Sequence, residues 1–179
     1  QRDAYAKEAW AYFKKLCDEK SGEKIYKTYD GVKSVLVVKP LPPINGNELY
    51  DQFWYGDPYS DATPWDKRAE HAALRLASQS APTAYGQFGP GFDFVESVVP
   101  DNRQEGNGIV RYSYPHGSKD HIMQTVDRPV SRFGLSWEDI STPKDRKYWV
   151  AGSRLRVIDL TNSGIVAERI GFFIEAGFG

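Results

Sequence analysis

The C-terminal stretch Tyr148–Ile174 constrains the fold more than any other part of the chain. Two β-prone runs meet at Thr161–Gly164, where Asn162 and Gly164 can take the positive φ that a tight hairpin turn needs. On both sides of this turn apolar residues alternate with polar ones, which predicts a long antiparallel ribbon with one face in a core. An isolated ribbon is only marginally stable in water, so the rest of the chain must cover this face.

The composition is that of a folded globular protein, with 40% hydrophobic and 26% charged residues among 179. This length predicts a single domain over residues 1–179. No apolar run approaches the roughly 20 residues of a membrane helix, so we expect no membrane span. The net charge of −1 gives no electrostatic basis for a nucleic-acid partner. Cys17 is the only cysteine, which excludes an intrachain disulfide and a Cys-based zinc site.

Two segments have the apolar spacing of amphipathic helices. The first covers residues 3–20, with Asp3 as the expected N-cap and one apolar stripe formed by Tyr5, Ala9, Tyr12, Phe13, Leu16 and Cys17. The second begins at Thr63 as N-cap, with Pro64 at the first helical position and Asp66 three residues after the cap as in a capping box, and it ends near residue 80. The same opening signature at Thr142 precedes an apolar period too short for more than a turn or two of helix.

The remaining regular segments have the composition of β-strands. Runs at residues 24–29 and 32–38 flank Asp30 and Gly31, which is a strong hairpin signal, and the second run is apolar enough to be an inner strand. Further strands are predicted at residues 92–99, 109–114, 122–126 and 133–137. Because no helix separates most neighbouring strands, we predict an α+β fold, a twisted antiparallel sheet with an N-terminal helix and a second helix packed on one face.

Residues 44–62 form a connection too long and too aromatic to be passive. Its aromatic side chains either cover the core as a lid or stand out as a recognition surface, and its aspartates suit a sugar hydroxyl or a calcium ion, although the spacing is not that of an EF-hand. The candidate binding residues in this aromatic loop are Tyr50, Phe53, Trp54, Tyr55, Asp57, Tyr59 and Asp61.

Catalytic patterns are sparse. His116, Asp120 and His121 offer imidazole and carboxylate groups from one loop and are weak metal candidates, but their spacing matches no zinc motif, and a solvated loop is the favoured interpretation. No Gly-x-Ser-x-Gly elbow or usable Cys–His pair is present, so we predict no cofactor and favour a non-enzymatic role.

Two carboxylates interrupt apolar strand faces in the terminal ribbon. Asp159 and Glu168 are either acids with a raised pKa or cross-strand partners of Arg154, Arg156 or Arg169. Ion pairing is the favoured interpretation, because opposite charges on neighbouring strands commonly pair.

Residues 17–32 and 139–160 resemble a family of uncharacterised proteobacterial proteins that are made with N-terminal export signals. The resemblance covers both ends of the chain and implies a periplasmic or secreted location, while it implies no activity, cofactor or catalytic residue. The chain begins at Gln1, which is compatible with removal of a targeting peptide or with trimming of the N-terminus.

These patterns favour an exported, non-enzymatic module that binds a protein or polysaccharide through the aromatic loop and nearby strand edges. One alternative is a small hydrolase or metal-dependent enzyme that uses the His116–His121 loop. Another is an immunity or inhibitor protein whose partner is an enzyme. The patterns do not define an oligomeric state.

Overall fold

The computed structural model describes residues 2–39, 92–98, 108–113 and 122–174. These residues form two helices and one sheet of eight strands in the order β1-β8-β7-β6-β2-β3-β4-β5. Helices beside an antiparallel-rich sheet confirm the predicted α+β class. The elements are α1 (Arg2–Lys20), β1 (Gly22–Ile25), β2 (Ser34–Lys39), β3 (Phe94–Val98), β4 (Ile109–Ser113), β5 (Ile122–Val126), β6 (Phe133–Asp139), α2 (Pro143–Lys147), β7 (Val150–Asp159) and β8 (Gly164–Ile174).

The C-terminal ribbon is present as predicted, since β7 and β8 pair antiparallel from Val150 opposite Ile174 to Asp159 opposite Gly164. The turn differs from the prediction in one respect. The positive φ lies at Ser163, at 59°, and not at Asn162 or Gly164. The Asn162 side chain instead accepts a hydrogen bond from the Gly164 amide at 2.8 Å, which is the side-chain turn that asparagine commonly forms.

The sheet is mixed and not wholly antiparallel, which corrects the predicted topology. Strand β2 lies at its centre and pairs parallel with both β3 and β6, while the other neighbouring strands pair antiparallel. Parallel neighbours need a long crossover connection, and the chain between β2 and β3 spans more than 50 residues. The predicted inner position of β2 is confirmed.

The hairpin predicted at Asp30-Gly31 is wrong, because β1 pairs with β8 and β2 pairs with β3 and β6. Gly31 does take a positive φ, at 65°, but the chain around it runs over the sheet and does not turn back along β1. Tyr29 and Val32 pack against the core there, and the Tyr29 ring lies 4.7 Å from that of Phe133. The partial burial of these side chains outweighs the local turn preference.

Side chains alternate between two faces of the sheet. The apolar face carries the neighbouring residues Phe133, Val35, Val95 and Tyr112 of β6, β2, β3 and β4, which belong to one buried cluster. The opposite face, called here the charged face, carries Glu96, Arg111, Glu138, Arg154, Arg156 and Glu168.

Helix α1 packs at one end of the charged face, against β8. Its predicted stripe is confirmed, because Ala9 and Leu16 are buried in a second cluster with Tyr148, Val150 and Ile174. The helix begins at Arg2, so Asp3 lies in its first turn and is not its N-cap. An acidic residue there still interacts favourably with the helix dipole.

The short helix at Thr142 is also confirmed, and its capping box is complete. The Thr142 hydroxyl accepts from the Asp145 amide at 3.2 Å, and the Asp145 carboxylate accepts from the Thr142 amide at 2.6 Å. The predicted helix that begins at Thr63 lies outside the described residues.

Tyrosines join α1 to the turn that contains α2. The Tyr12 hydroxyl donates to Asp145 at 2.6 Å, the Tyr148 hydroxyl donates to Glu8 at 2.5 Å, and the Tyr12 and Tyr148 rings lie 4.9 Å apart. Burial and the hydrogen bond to Asp145 raise the pKa of Tyr12 to about 12, so its proton is retained near neutral pH. Asp145 therefore both caps α2 and holds α1 in place.

Replacing the linking tyrosine should weaken this attachment. We expect Tyr12→Phe to lower the free energy of unfolding by about 1 to 2 kcal/mol, because it removes one hydrogen bond to a carboxylate. Chemical denaturation measures the loss. Tyr26→Phe is the matched control, because Tyr26 is 59% exposed and an exposed change should cost less than about 0.5 kcal/mol. Equal losses in the two variants would contradict this role of Tyr12.

Candidate functional site

Glu96 of β3 is fully buried on the charged face. Arg111 of the neighbouring strand β4 donates to its carboxylate at 2.8 Å, and the Ser131 hydroxyl donates at 2.6 Å. The backbone amides of Val130 and Ser131 donate to it at 3.0 and 2.9 Å. A buried carboxylate needs such a set of donors, because without them its charge would be very costly to hold away from water.

The donors keep this carboxylate ionised. Burial alone raises the pKa of Glu96, but the hydrogen bonds from Ser131, Arg111 and Val130 outweigh burial, so the pKa lies below that of an ordinary glutamate. A general acid near neutral pH needs a raised pKa. The arrangement is therefore that of a structural anchor.

The anchored segment is residues 127–132, called here the strap, which connects β5 to β6. These strands are separated in the sheet by β4, β3 and β2, so the strap must cross about four strand spacings, or about 19 Å. The strap must also run back along the strand direction by the length of about three residues. In the pairing register Val126 lies in the same row as Val98, whereas Phe133 lies in the same row as Val95.

The combined distance is about 21 Å, and the seven steps from Val126 to Phe133 reach about 23 Å when extended. The strap is therefore short for this crossing, which runs diagonally over the charged face. Its contact with Glu96 on β3 and the 3.1 Å hydrogen bond between the hydroxyls of Ser131 and Ser34 on β2 mark this path.

A second buried carboxylate holds the end of the strap. Asp159 is 2% exposed and accepts from Arg132 at 2.8 Å and from the Thr161 hydroxyl at 2.7 Å. These hydrogen bonds hold the pKa of Asp159 well below its ordinary value. Asp159 is ion-paired, but its partner Arg132 lies in the strap, so the predicted cross-strand pair with Arg154, Arg156 or Arg169 is wrong for this residue.

The charged face also carries a ladder of ion pairs across β6, β7 and β8. Arg154 donates to Glu138 at 2.6 Å, and Arg156 donates to Glu168 at 2.8 Å while lying 3.7 Å from Glu138. The predicted pairing of Glu168 is thereby confirmed. Because two arginines face two glutamates, the ladder is neutral and offers no net charge to a ligand.

Among the described strands, β1 and β5 lie at the two edges of the sheet, and they differ in the side chains that they present. Edge strand β1 carries the charged residues Glu23 and Lys24, and charges on an edge discourage pairing with another chain. Edge strand β5 has the sequence Ile-Met-Gln-Thr-Val, without a charge or a proline. Ile122 and Met123 of β5 are 54% and 52% exposed.

The apolar face continues to the β5 edge. Met123 is paired with Tyr112, which in turn is paired with Val95, so all three lie in one row across the sheet. The exposed fraction is 0% at Val95 and 3% at Tyr112, but rises to 52% at Met123. The buried row thus ends in an exposed side chain on an edge strand that can pair with a further strand. This β5 edge is the candidate interaction site.

The sequence-predicted site residues lie elsewhere in the chain. All seven candidates of the aromatic loop, and the metal candidates His116, Asp120 and His121, lie outside the described residues. The structure therefore leaves both predictions untested. The sequence predicts β5 as a strand but does not indicate that it lies at an edge, because edge position depends on the pairing of all eight described strands.

The role of Glu96 is not predicted by the sequence. The one available signal was a carboxylate in the middle of the strand predicted at residues 92–99, on a strand that is otherwise mostly apolar. Its partners come from β4 and the strap, and sequence spacing does not reveal these distant contacts.

Comparisons with protein-family models, curated proteins and solved structures gave no match to this chain. Among the described residues, no helix is long and apolar enough to cross a membrane. The same part of the chain contains no group of three or more His, Cys, Asp or Glu residues placed to hold a metal ion.

Removing the charge of Glu96 should loosen the strap. We expect Glu96→Gln to lower the free energy of unfolding by about 3 kcal/mol, because the amide opposes donors with its own NH2 group and leaves Arg111 without a carboxylate. Glu138→Gln on the same face is the control and should cost about 1 kcal/mol or less, since Glu138 is 25% exposed. Urea denaturation compares the two variants.

The Glu96 anchor should also make stability depend on pH. Its pKa is lower in the folded than in the unfolded chain, so the unfolded chain binds more protons and stability rises with pH. The contribution is complete above the ordinary glutamate pKa of about 4.3 and is lost as the pH falls toward the lowered value. Glu96→Gln should therefore lose less stability than the wild type on acidification. An identical pH profile for both proteins would contradict this assignment.

Proposed function

We propose that this chain is a non-enzymatic interaction module that binds a protein partner by adding a strand of that partner to the β5 edge. The observation that carries the proposal is the exposed, uncharged β5 strand at the end of a buried apolar row. An edge strand of this kind presents unpaired backbone donors and acceptors together with apolar side chains.

The chemistry of the edge favours a polypeptide over a polysaccharide. One side of β5 is satisfied by its pairing with β4, and the other side requires alternating N–H and C=O groups from the partner. An extended peptide supplies these groups at the strand repeat, whereas a sugar polymer does not. Side chains of the added strand would cover Met123 on one face and Ile122 on the other.

The contrast between the two edges supports the choice of β5. Exposed apolar side chains occur at both edges, since Ile25 of β1 is 61% exposed. At β1, however, an incoming strand would lie beside Glu23 and Lys24, whose charges prefer water. At β5 the adjacent side chains are apolar, amide or hydroxyl groups, which an incoming strand can cover at lower cost.

The proposal has two further parts, which concern the aromatic loop and the location of the protein. Tyr50, Trp54, Tyr59 and their neighbours in the loop are proposed as further contacts with the partner, because aromatic side chains are enriched at interfaces. A periplasmic or secreted location is proposed from the resemblance of both chain ends to exported proteins. Recovery of the native protein in the cytosolic fraction would overturn that part of the proposal.

Selection of peptides from a displayed random library tests strand addition directly. We expect the selected peptides to be extended and apolar, and their binding to slow hydrogen exchange at the amides of Ile122–Val126. Met123→Asp should weaken their binding at least tenfold, because it places a charge at the end of the apolar row. Fluorescence anisotropy with a labelled peptide measures the change.

Ile25→Asp is the matched control, since it introduces the same charge at a similarly exposed position on the opposite edge. This variant should bind the selected peptides as the wild type does. Peptides that bind both variants equally, or that leave the β5 amides unprotected, would show that β5 is not the site.

A further inference from the structure

We infer that the strand added to β5 is the β5 strand of a second copy of this chain, paired antiparallel about a two-fold axis at Gln124. This inference rests on the proposed function, since it uses the same edge and names its occupant. A two-fold interface places the same patch of both copies together, so the patch must be complementary to itself.

The sequence of β5 meets this requirement. Antiparallel pairing centred on Gln124 places each Gln124 opposite its copy, Met123 opposite Thr125, and Ile122 opposite Val126. Gln124 is exposed, and its amide both donates and accepts, so two glutamine amides facing each other can hydrogen-bond. No charge lies within β5, so no residue of the strand meets a like charge across the axis.

The two faces of the sheet are also compatible with this pairing. Met123 and Thr125 lie on the apolar face with Tyr112, while Ile122, Gln124 and Val126 lie on the charged face. A two-fold axis perpendicular to the sheet keeps each face on its own side in both copies. The row Val95, Tyr112, Met123 then continues into the second copy, and the two Met123 side chains are diagonal neighbours within reach of each other.

The size of the contact sets the expected affinity. Five paired residues per copy bury far less than the roughly 1,200 Å² of a stable interface, so the dimer should be weak. We expect dissociation in the micromolar range or above, with monomers dominant in dilute solution.

Sedimentation velocity over a range of protein concentrations tests the inference. The wild type should shift from monomer toward dimer as concentration rises. Gln124→Lys and Gln124→Glu should each remain monomeric, because each places two like charges together at the axis. An equimolar mixture of the two variants should dimerise again, since only in the mixed pair does the introduced ammonium group of one copy face the introduced carboxylate of the other.

Circular dichroism and thermal melting of the single variants check that they fold, as expected for changes at an exposed position. A wild type that stays monomeric at all concentrations overturns the inference. So does a dimer that either single variant retains, or a mixture that does not dimerise.

The experiments distinguish a failure of the proposed function from a failure of the proposed dimer. If the wild type is monomeric while selected peptides still bind at β5 and lose affinity in Met123→Asp, the proposed function stands and only the second copy is excluded. If charge exchange restores a dimer but no peptide protects β5, the edge serves self-association and the proposed recognition of another protein is wrong.

Discussion

The route of the chain from β5 to β6 depends on the carboxylate of Glu96. The strap that makes this connection crosses three other strands and takes no place in the sheet, so its amides need acceptors from another source. Glu96 accepts hydrogen bonds from two of them, those of Val130 and Ser131, and Asp159 accepts from the side chain of the following Arg132. Two ionised side chains thus hold the strap against the sheet, where no strand pairing holds it.

This arrangement also determines what the β5 edge presents. After Val126 the chain leaves along the strap and across the charged face, so in the described part of the chain it does not fold back along the outer side of β5. The apolar row that begins in the core ends there at Met123. The route of the strap over the buried Glu96 and the exposure of the edge strand β5 are therefore linked.

Local sequence signals predicted the local structure well. The terminal ribbon, the stripe of α1 and the capping box at Thr142 are all confirmed, because each depends on residues close in sequence. Where distant contacts compete with local preference, prediction was weaker. The Asp30-Gly31 pair does form a local bend of the kind that its residues favour, but packing of Tyr29 on Phe133 determined the path of the chain between β1 and β2. The partners of β2, the edge position of β5 and the role of Glu96 follow from the arrangement of the whole sheet, which the spacing of residues does not encode.

The strap joins β5 to β6 with only six residues, and this short length places an asymmetric constraint on sequence change. A deletion within residues 127–132 would leave too little chain to join β5 to β6, and one of the strands would have to leave its register. An insertion only adds slack, whose entropic cost grows slowly with length. Among descendants of this sequence, the segment should therefore tolerate lengthening and resist shortening, although it has neither helix nor strand structure of its own.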